Sequence, residues 1–236
     1  GNESELLVRD RVKAAFVRYF RTLARGPLLS CRDLMGLVVE GALTVRDMLR
    51  ALAHGDRDFI ARSARRLHLW EEESDLILNR IRKSSGGRPG GTDALSPAVL
   101  VDDAQDAFEE AAHLIGLIAP EKLPEQLRFE LEEAADLCVR AAQEGYKAVA
   151  SAEEAFDEST ALEDFSRSID RLDGFSHRAG ELRREFRRTL LDGPELGSAF
   201  AMLVKDCAGE LTAAAESLAR AGFALHRAVF DRPARR

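Results

Sequence analysis

The run LHLWEEESDLILNRI, residues 67–81, decides how the rest of the chain is read. Ile60, Ala64, Leu67, Leu78 and Ile81 recur at steps of three, four and seven, the spacing that puts residues on one stripe of an α-helix. Continued through the middle of the run, the stripe meets Glu71 and then Asp75. Two carboxylates four residues apart stand one turn apart on a helix, here where apolar residues belong. Buried charge is costly unless it is paired, protonated or bound to a cation, so this placement is the first chemical signal in the chain.

Outward from that run, nearly every segment carries the same helical signature. Ala, Leu, Glu and Arg dominate, and β-branched runs are absent. A first helix is predicted over 3–24, with Leu6, Val12, Phe16 and Phe20 on its apolar side and Gly26-Pro27 ending it. A second runs over about 29–54, with Leu34, Val38, Leu49 and Leu52 inward and Gly55 as its C-terminal cap. Asp56 caps the third, which contains the opening run and ends near Lys83. SSGGRPGGTD, residues 84–93, reads as a linker; it lacks the Gly-Lys-Ser/Thr ending of a phosphate loop, and no strand precedes it.

Ser96-Pro97 starts a fourth helix that reaches Ile118. Pro120 stops it, and three long helices follow over about 124–155, 159–191 and 195–230. Small residues on the stripe of the fifth (Ala134, Cys138, Ala141, Gly145, Ala148) imply close helix–helix approach. Short turns between long helices predict an all-α antiparallel bundle. On composition the chain divides into a first half at 1–83, a Gly-rich linker at 84–95 and a second half at 96–236 with a closing helix.

With 236 residues the chain can bury a sizeable core. Asp and Glu number 41 against 34 Lys and Arg, which argues against nucleic acid as the main partner. Cys31, Cys138 and Cys207 are far apart and form no Cys-x-x-Cys, so they read as reduced core thiols in a cytoplasmic protein. The charged opening NESELLVRDRV does not read as a signal peptide, and no apolar run reaches the roughly 18–20 residues a membrane span needs.

A weak internal repeat is visible. One helical hairpin ends in EEESDLILNRI, and a second, of similar length, ends in IDRLDGFSHRAGELRREF. In the second, Asp173 and His177 stand as Glu71 and Asp75 do in the first. Carboxylates with imidazole suit iron, manganese or zinc, whereas carboxylates alone suit calcium or magnesium. Two such pairs from separate hairpins would supply four ligands, with Glu40, Asp47 and Glu144 as supplements. Glu110-Ala-Ala-His113 is a Glu-x-x-His, but a ferritin-like di-iron site needs a second one and none is present. No Gly-x-Ser-x-Gly and no His-Glu-x-x-His occurs.

Together these stretches resemble the PhoU family, and in particular the PhoU-like accessory proteins of Pit-type phosphate transporters. LWEEESDLILNRI at 69–81 and IDRLDGFSHRAGELRREF at 169–186 carry the resemblance, with 95–120 and 209–230 as the start and close of the second half. The resemblance implies two three-helix bundles related by a pseudo-repeat, plus an additional long helix. It implies a cytoplasmic regulator of inorganic phosphate transport rather than an enzyme. The partner would be a membrane phosphate transporter or a signalling kinase, with no insertion into the membrane and with room for a homo-oligomer. It further implies metal at the acidic motifs, iron first and zinc or manganese as alternatives. Glu71 and Asp75 match the motif, whereas His177 replaces the second acid after Asp173. The fourth helix carries Ala111, Ala112 and His113 where acids are usual. The competing reading is a metal-free helical scaffold that binds a protein partner.

Overall fold

The computed structural model describes residues 25–85, 91–154, 159–193 and 196–230. Six α-helices fill these segments: α1 (Arg25–Ala53), α2 (Arg57–Ser85), α3 (Gly91–Leu117), α4 (Glu125–Glu154), α5 (Ser159–Asp192) and α6 (Ser198–Phe230). A single 3-10 turn, Pro120–Lys122, joins α3 to α4, and no strand occurs among the described residues. The helix expected over 3–24, the basic tail at 231–236 and the middle of the Gly-rich run lie outside the described residues.

The turn between α1 and α2 shows how local chemistry sets the layout. Gly55 takes φ +70°, a left-handed conformation that a residue without a Cβ adopts cheaply. Asp56 then accepts a hydrogen bond from the Phe59 N–H at 2.9 Å, which caps α2. Both residues act as the sequence predicts. Two other boundaries differ. Gly26 and Pro27 lie in the first turn of α1, where the missing proline N–H has no helical partner to lose. Pro97 lies inside α3, which already begins at Gly91.

Packing groups the helices as α1–α2–α3 and α4–α5–α6. The two bundles join where α3 lies along α6 and α1 lies along α4. Thus α3 packs against helices on both sides of the Gly-rich run, α1 and α2 before it and α6 after it. Arg57 ties the start of α2 to the end of α3 by donating to the carbonyls of Gly116 (3.1 Å) and Ile118 (2.7 Å). The core is continuous and apolar, with Leu34, Val38, Met48, Leu67, Phe108, Leu131, Phe165 and Leu211 fully buried. Each such side chain contributes about 1.5–3 kcal/mol on leaving water. Between α5 and α6 the approach is tight at Gly222, where a Cβ would come within 2.7 Å of a Leu172 methyl group. Cys138 and Cys207 are buried and unpaired, and burial pushes both thiols up to about 12.

The stripe of α2 departs from its expected course. Leu67, Ser74 and Ile81 form the buried line, with Ser74 fully enclosed. Glu71 is half-buried and Asp75 is exposed. Each step of four residues overshoots a full turn by about 40°, so the series from 67 to 71 to 75 rotates off the core. Glu71 and Asp75 therefore flank the core instead of interrupting it.

Candidate metal centre

Helices α2 and α3 run antiparallel, and two hydrogen bonds set their register. Ser74 Oγ donates to Asp102 Oδ1 at 2.6 Å in the buried seam. Nearly two helical turns away, His68 Nδ1 lies 2.7 Å from Glu109 Oε1. Acids from both helices lie along this seam and act on one another electrostatically. From α2 come Glu71 and Asp75, and from α3 come Asp102, Asp106 and Glu109. His68, Glu71 and Glu109 each offer a ligand atom, and these atoms lie within 4.8 Å of one another.

The electrostatics are those of crowded like charge. Burial raises the Glu71 carboxyl above its ordinary value, and Glu109 and Asp75 push it further. Burial also raises Asp102, against the stabilising hydrogen bond from Ser74. Asp106 is exposed by area, yet the surrounding atoms desolvate its carboxyl, and Asp102, Glu71, Asp103 and Asp75 repel it, so it is pushed up to about 6. The hydrogen bond with Glu109 raises His68, which favours its cationic form. Among the described residues no Lys or Arg forms an ion pair with Glu71, Asp75 or Asp106. The nearby Arg66 is stacked 5.3 Å from the centre of the Trp70 ring. The converging carboxylates Glu71 and Glu109 with the His68 imidazole suit a metal ion of the manganese, iron and zinc group, which would take the place of a proton on His68. Such an ion would replace the repulsion with attraction.

The second bundle does not repeat this arrangement. Asp173 and His177 are partly and largely exposed, and they meet only each other, at 3.8 Å between His177 Nε2 and Asp173 Oδ1. His68, Glu71 and Glu109 are the one set of three converging ligands among the described residues. The burial pattern explains the difference. Phe165, Ser168, Leu172, Ala179, Leu182 and Phe186 repeat the buried order of Ile60, Ser63, Leu67, Ser74, Ile77 and Ile81. On that register Ser176 and Gly180 occupy the places of Glu71 and Asp75, while Asp173 answers to His68. The likeness of EEESD to IDRLDGFSH is thus offset by one turn from the packing.

Several acids of the second bundle are ion-paired instead. Arg178 spans Glu133 (2.6 Å), Glu181 (3.1 Å) and Glu185 (3.2 Å). Burial alone would raise Glu144, but Lys147, Arg171 and Ser168 outweigh it and hold the carboxyl below its ordinary value. Glu144 is therefore an ion-pair hub. Asp47 is likewise paired, with Arg46 at 3.0 Å and Arg50 at 3.8 Å. Glu40, Glu110 and His113 are exposed and join no cluster of ligands.

Sequence reasoning overlooked Asp102, Asp106, Glu109 and His68. A signal was present, because Asp102-x-x-x-Asp106 is itself an acidic pair one turn apart. It lies upstream of the Ala111 to His113 segment, where the acids were sought.

Two solved structures share this architecture. Both are from Shewanella oneidensis MR-1, one described as a PhoU-like phosphate regulatory protein and the other as a PhoU-like protein. The first matches with a TM-score of 0.71 over 84% of this chain and 96% of its own. The second matches with a TM-score of 0.74 over 89% of this chain and 99% of its own. The fold is PhoU-like. Sequence identity to each is 18%, so the likeness of these PhoU-like structures is one of fold. No protein-family model matches the sequence, and no curated protein matches it. The acidic face lies on α2 and α3. No helix among the described residues is long and apolar enough to cross a membrane.

Proposed function

We propose that this chain is a non-catalytic regulator of inorganic phosphate transport that binds a metal ion on the α2–α3 face. One observation carries the metal assignment: His68, Glu71 and Glu109 bring ligand atoms within 4.8 Å of one another beside the further acids Asp75, Asp102 and Asp106, and no Lys or Arg is paired with Glu71, Asp75 or Asp106. The phosphate role is supported by the PhoU-like fold and by a structural neighbour described as a phosphate regulatory protein. Iron, manganese and zinc suit the donor set, with iron the first to test. Asp173 and His177 serve in this proposal as a surface pair and not as a second centre. The cytoplasmic side of a Pit-type transporter or a signalling kinase is the proposed partner. Loading an ion would change the charge of the face and so its fit to that partner.

The test is metal content of the untagged protein by plasma mass spectrometry, beside a Glu71→Ala, Asp106→Ala variant. Near-stoichiometric transition metal in the parent and none in the folded variant is the expected result. Equal metal in both would remove the site. No metal in the parent, even after incubation with each ion, would leave the metal-free scaffold as the reading.

A further inference from the structure

Helix α5 packs its inner side on α4 and α6 and leaves its outer side exposed. Along that outer side Glu163, Asp170, His177, Arg184 and Leu191 recur every seven residues. A step of seven drifts only about 20° around a helix, so the five share one stripe. All of them are exposed.

The stripe is sorted by sign. Its first half holds Glu163 and Asp170, and its second half holds Arg184, with Arg188 one turn further along the same side. Elsewhere on α5 opposite charges meet at short spacing: Arg167 lies 3.0 Å from Asp164, and Arg178 bridges Glu181 and Glu185. Glu163, Asp170, Arg184 and Arg188 form no ion pair or hydrogen bond among the described residues. They cannot meet within one copy, because Asp170 and Arg184 stand about 21 Å apart along the helix. Arg184 and Arg188, four residues apart, also repel each other.

A second copy laid antiparallel relieves both defects. A two-fold axis at His177 puts each Asp170 opposite the Arg184 of the other copy. It also brings each Arg188 within one turn of the opposing Glu163. The contact is self-complementary, as a two-fold interface requires, and its charges pair in sign. A parallel arrangement would set like charge against like. Asp173 and Glu181, which flank the axis, have their own partners in His177 and Arg178. Gly174 keeps the middle of the stripe low, since a Cβ there would meet nothing within 4 Å.

We propose that this chain forms a two-fold dimer through the outer stripe of α5, with Glu163 and Asp170 of each copy against Arg188 and Arg184 of the other. The stripe lies in the second bundle, apart from the α2–α3 face, and the inference does not rest on the metal or phosphate reading.

The test is sedimentation velocity of the whole chain at micromolar concentration. A dimer is expected in low salt, with a dissociation constant about tenfold or more weaker once salt screens the pairs. Arg184→Glu with Arg188→Glu sets acid against acid, and Glu163→Lys with Asp170→Lys sets base against base, so each variant should be monomeric. The four side chains are exposed and unpaired, so both variants should keep the helical circular dichroism of the parent. Mixed in equal amounts, the two variants should form a dimer of one copy of each. That rescue separates a matched stripe from a general effect of altered charge. A parent that stays monomeric at high micromolar concentration in low salt overturns the proposal. So does a dimer that either variant retains, and so does a mixture that fails to associate. The Glu71→Ala, Asp106→Ala variant should dimerise like the parent. Loss of its dimer would move the contact to the α2–α3 face and overturn the α5 assignment, whereas loss of metal alone leaves it intact.

Discussion

The two bundles have matching cores and opposite surface chemistry. On α2 and α3 the acids converge on one another, and Asp106 is pushed up to about 6. On α4 and α5 a similar supply of acid is distributed over Arg178, Arg171 and Lys147, and Glu144 falls below its ordinary value. The same helical framework thus holds one surface where Glu71, Asp75 and Asp106 have no Lys or Arg partner and another whose acids Glu133 and Glu144 are paired with Arg and Lys. Carboxylate count alone does not make a metal site, because what matters is whether the adjacent turn supplies an arginine.

This contrast can be broken most directly through ion content. Glu71→Gln with Asp106→Asn should abolish bound metal, while Asp173→Ala with His177→Ala should leave it at the parent level, both read by mass spectrometry. Loss of metal in the second variant instead would place a working centre in the second bundle. Next in size are the cores. Phe108 and Phe165 are each fully buried, one in each bundle, and truncation of either to Ala should cost about 3–5 kcal/mol in denaturant unfolding. A single shared transition in both variants would show that the bundles unfold together, and two separated transitions would show that they do not.

A smaller effect is expected at Arg178, which bridges three glutamates at the surface. Arg178→Ala should cost about 1 kcal/mol or less, and the loss should shrink in high salt. It would also leave Glu133, Glu181 and Glu185 unpaired, so any gain of cation binding there would sharpen the comparison. A separate effect concerns pH. Folding raises Asp106 from 3.8 to about 6, so the folded protein holds this proton more tightly than the unfolded chain. Stability of the metal-free protein should therefore fall as pH climbs from about 4 to 6 and then level off. Asp106→Asn should flatten that slope in melting curves taken across the range. A slope left unchanged would assign the titration to another group.

Much of the fold could be read from the residues because its punctuation is local. Gly55 and Asp56 mark the α1–α2 turn by their own backbone preferences. Glu71 was found for the same kind of reason, as a charge beside an apolar stripe. Its true partners were not, since Asp102, Asp106 and Glu109 lie on another helix and become neighbours only when Ser74 meets Asp102. The Gly-rich run marks where the chain can turn, but packing decides which helices share a core, and α3 packs with α1 and α2 as well as with α6. The second motif was misplaced by one turn because letter similarity carries no information about which residues face inward.

Helix α3 supplies most of the acids on one side and lies along α6 on another. A fragment cut to the first three helices would keep every proposed ligand yet uncover the side of α3 that α6 protects. The proposed ion site would therefore not be a portable module. In genetic terms, suppressors of damage at Asp102 or Asp106 should arise on α6 as readily as on α2, because both helices hold α3 in place.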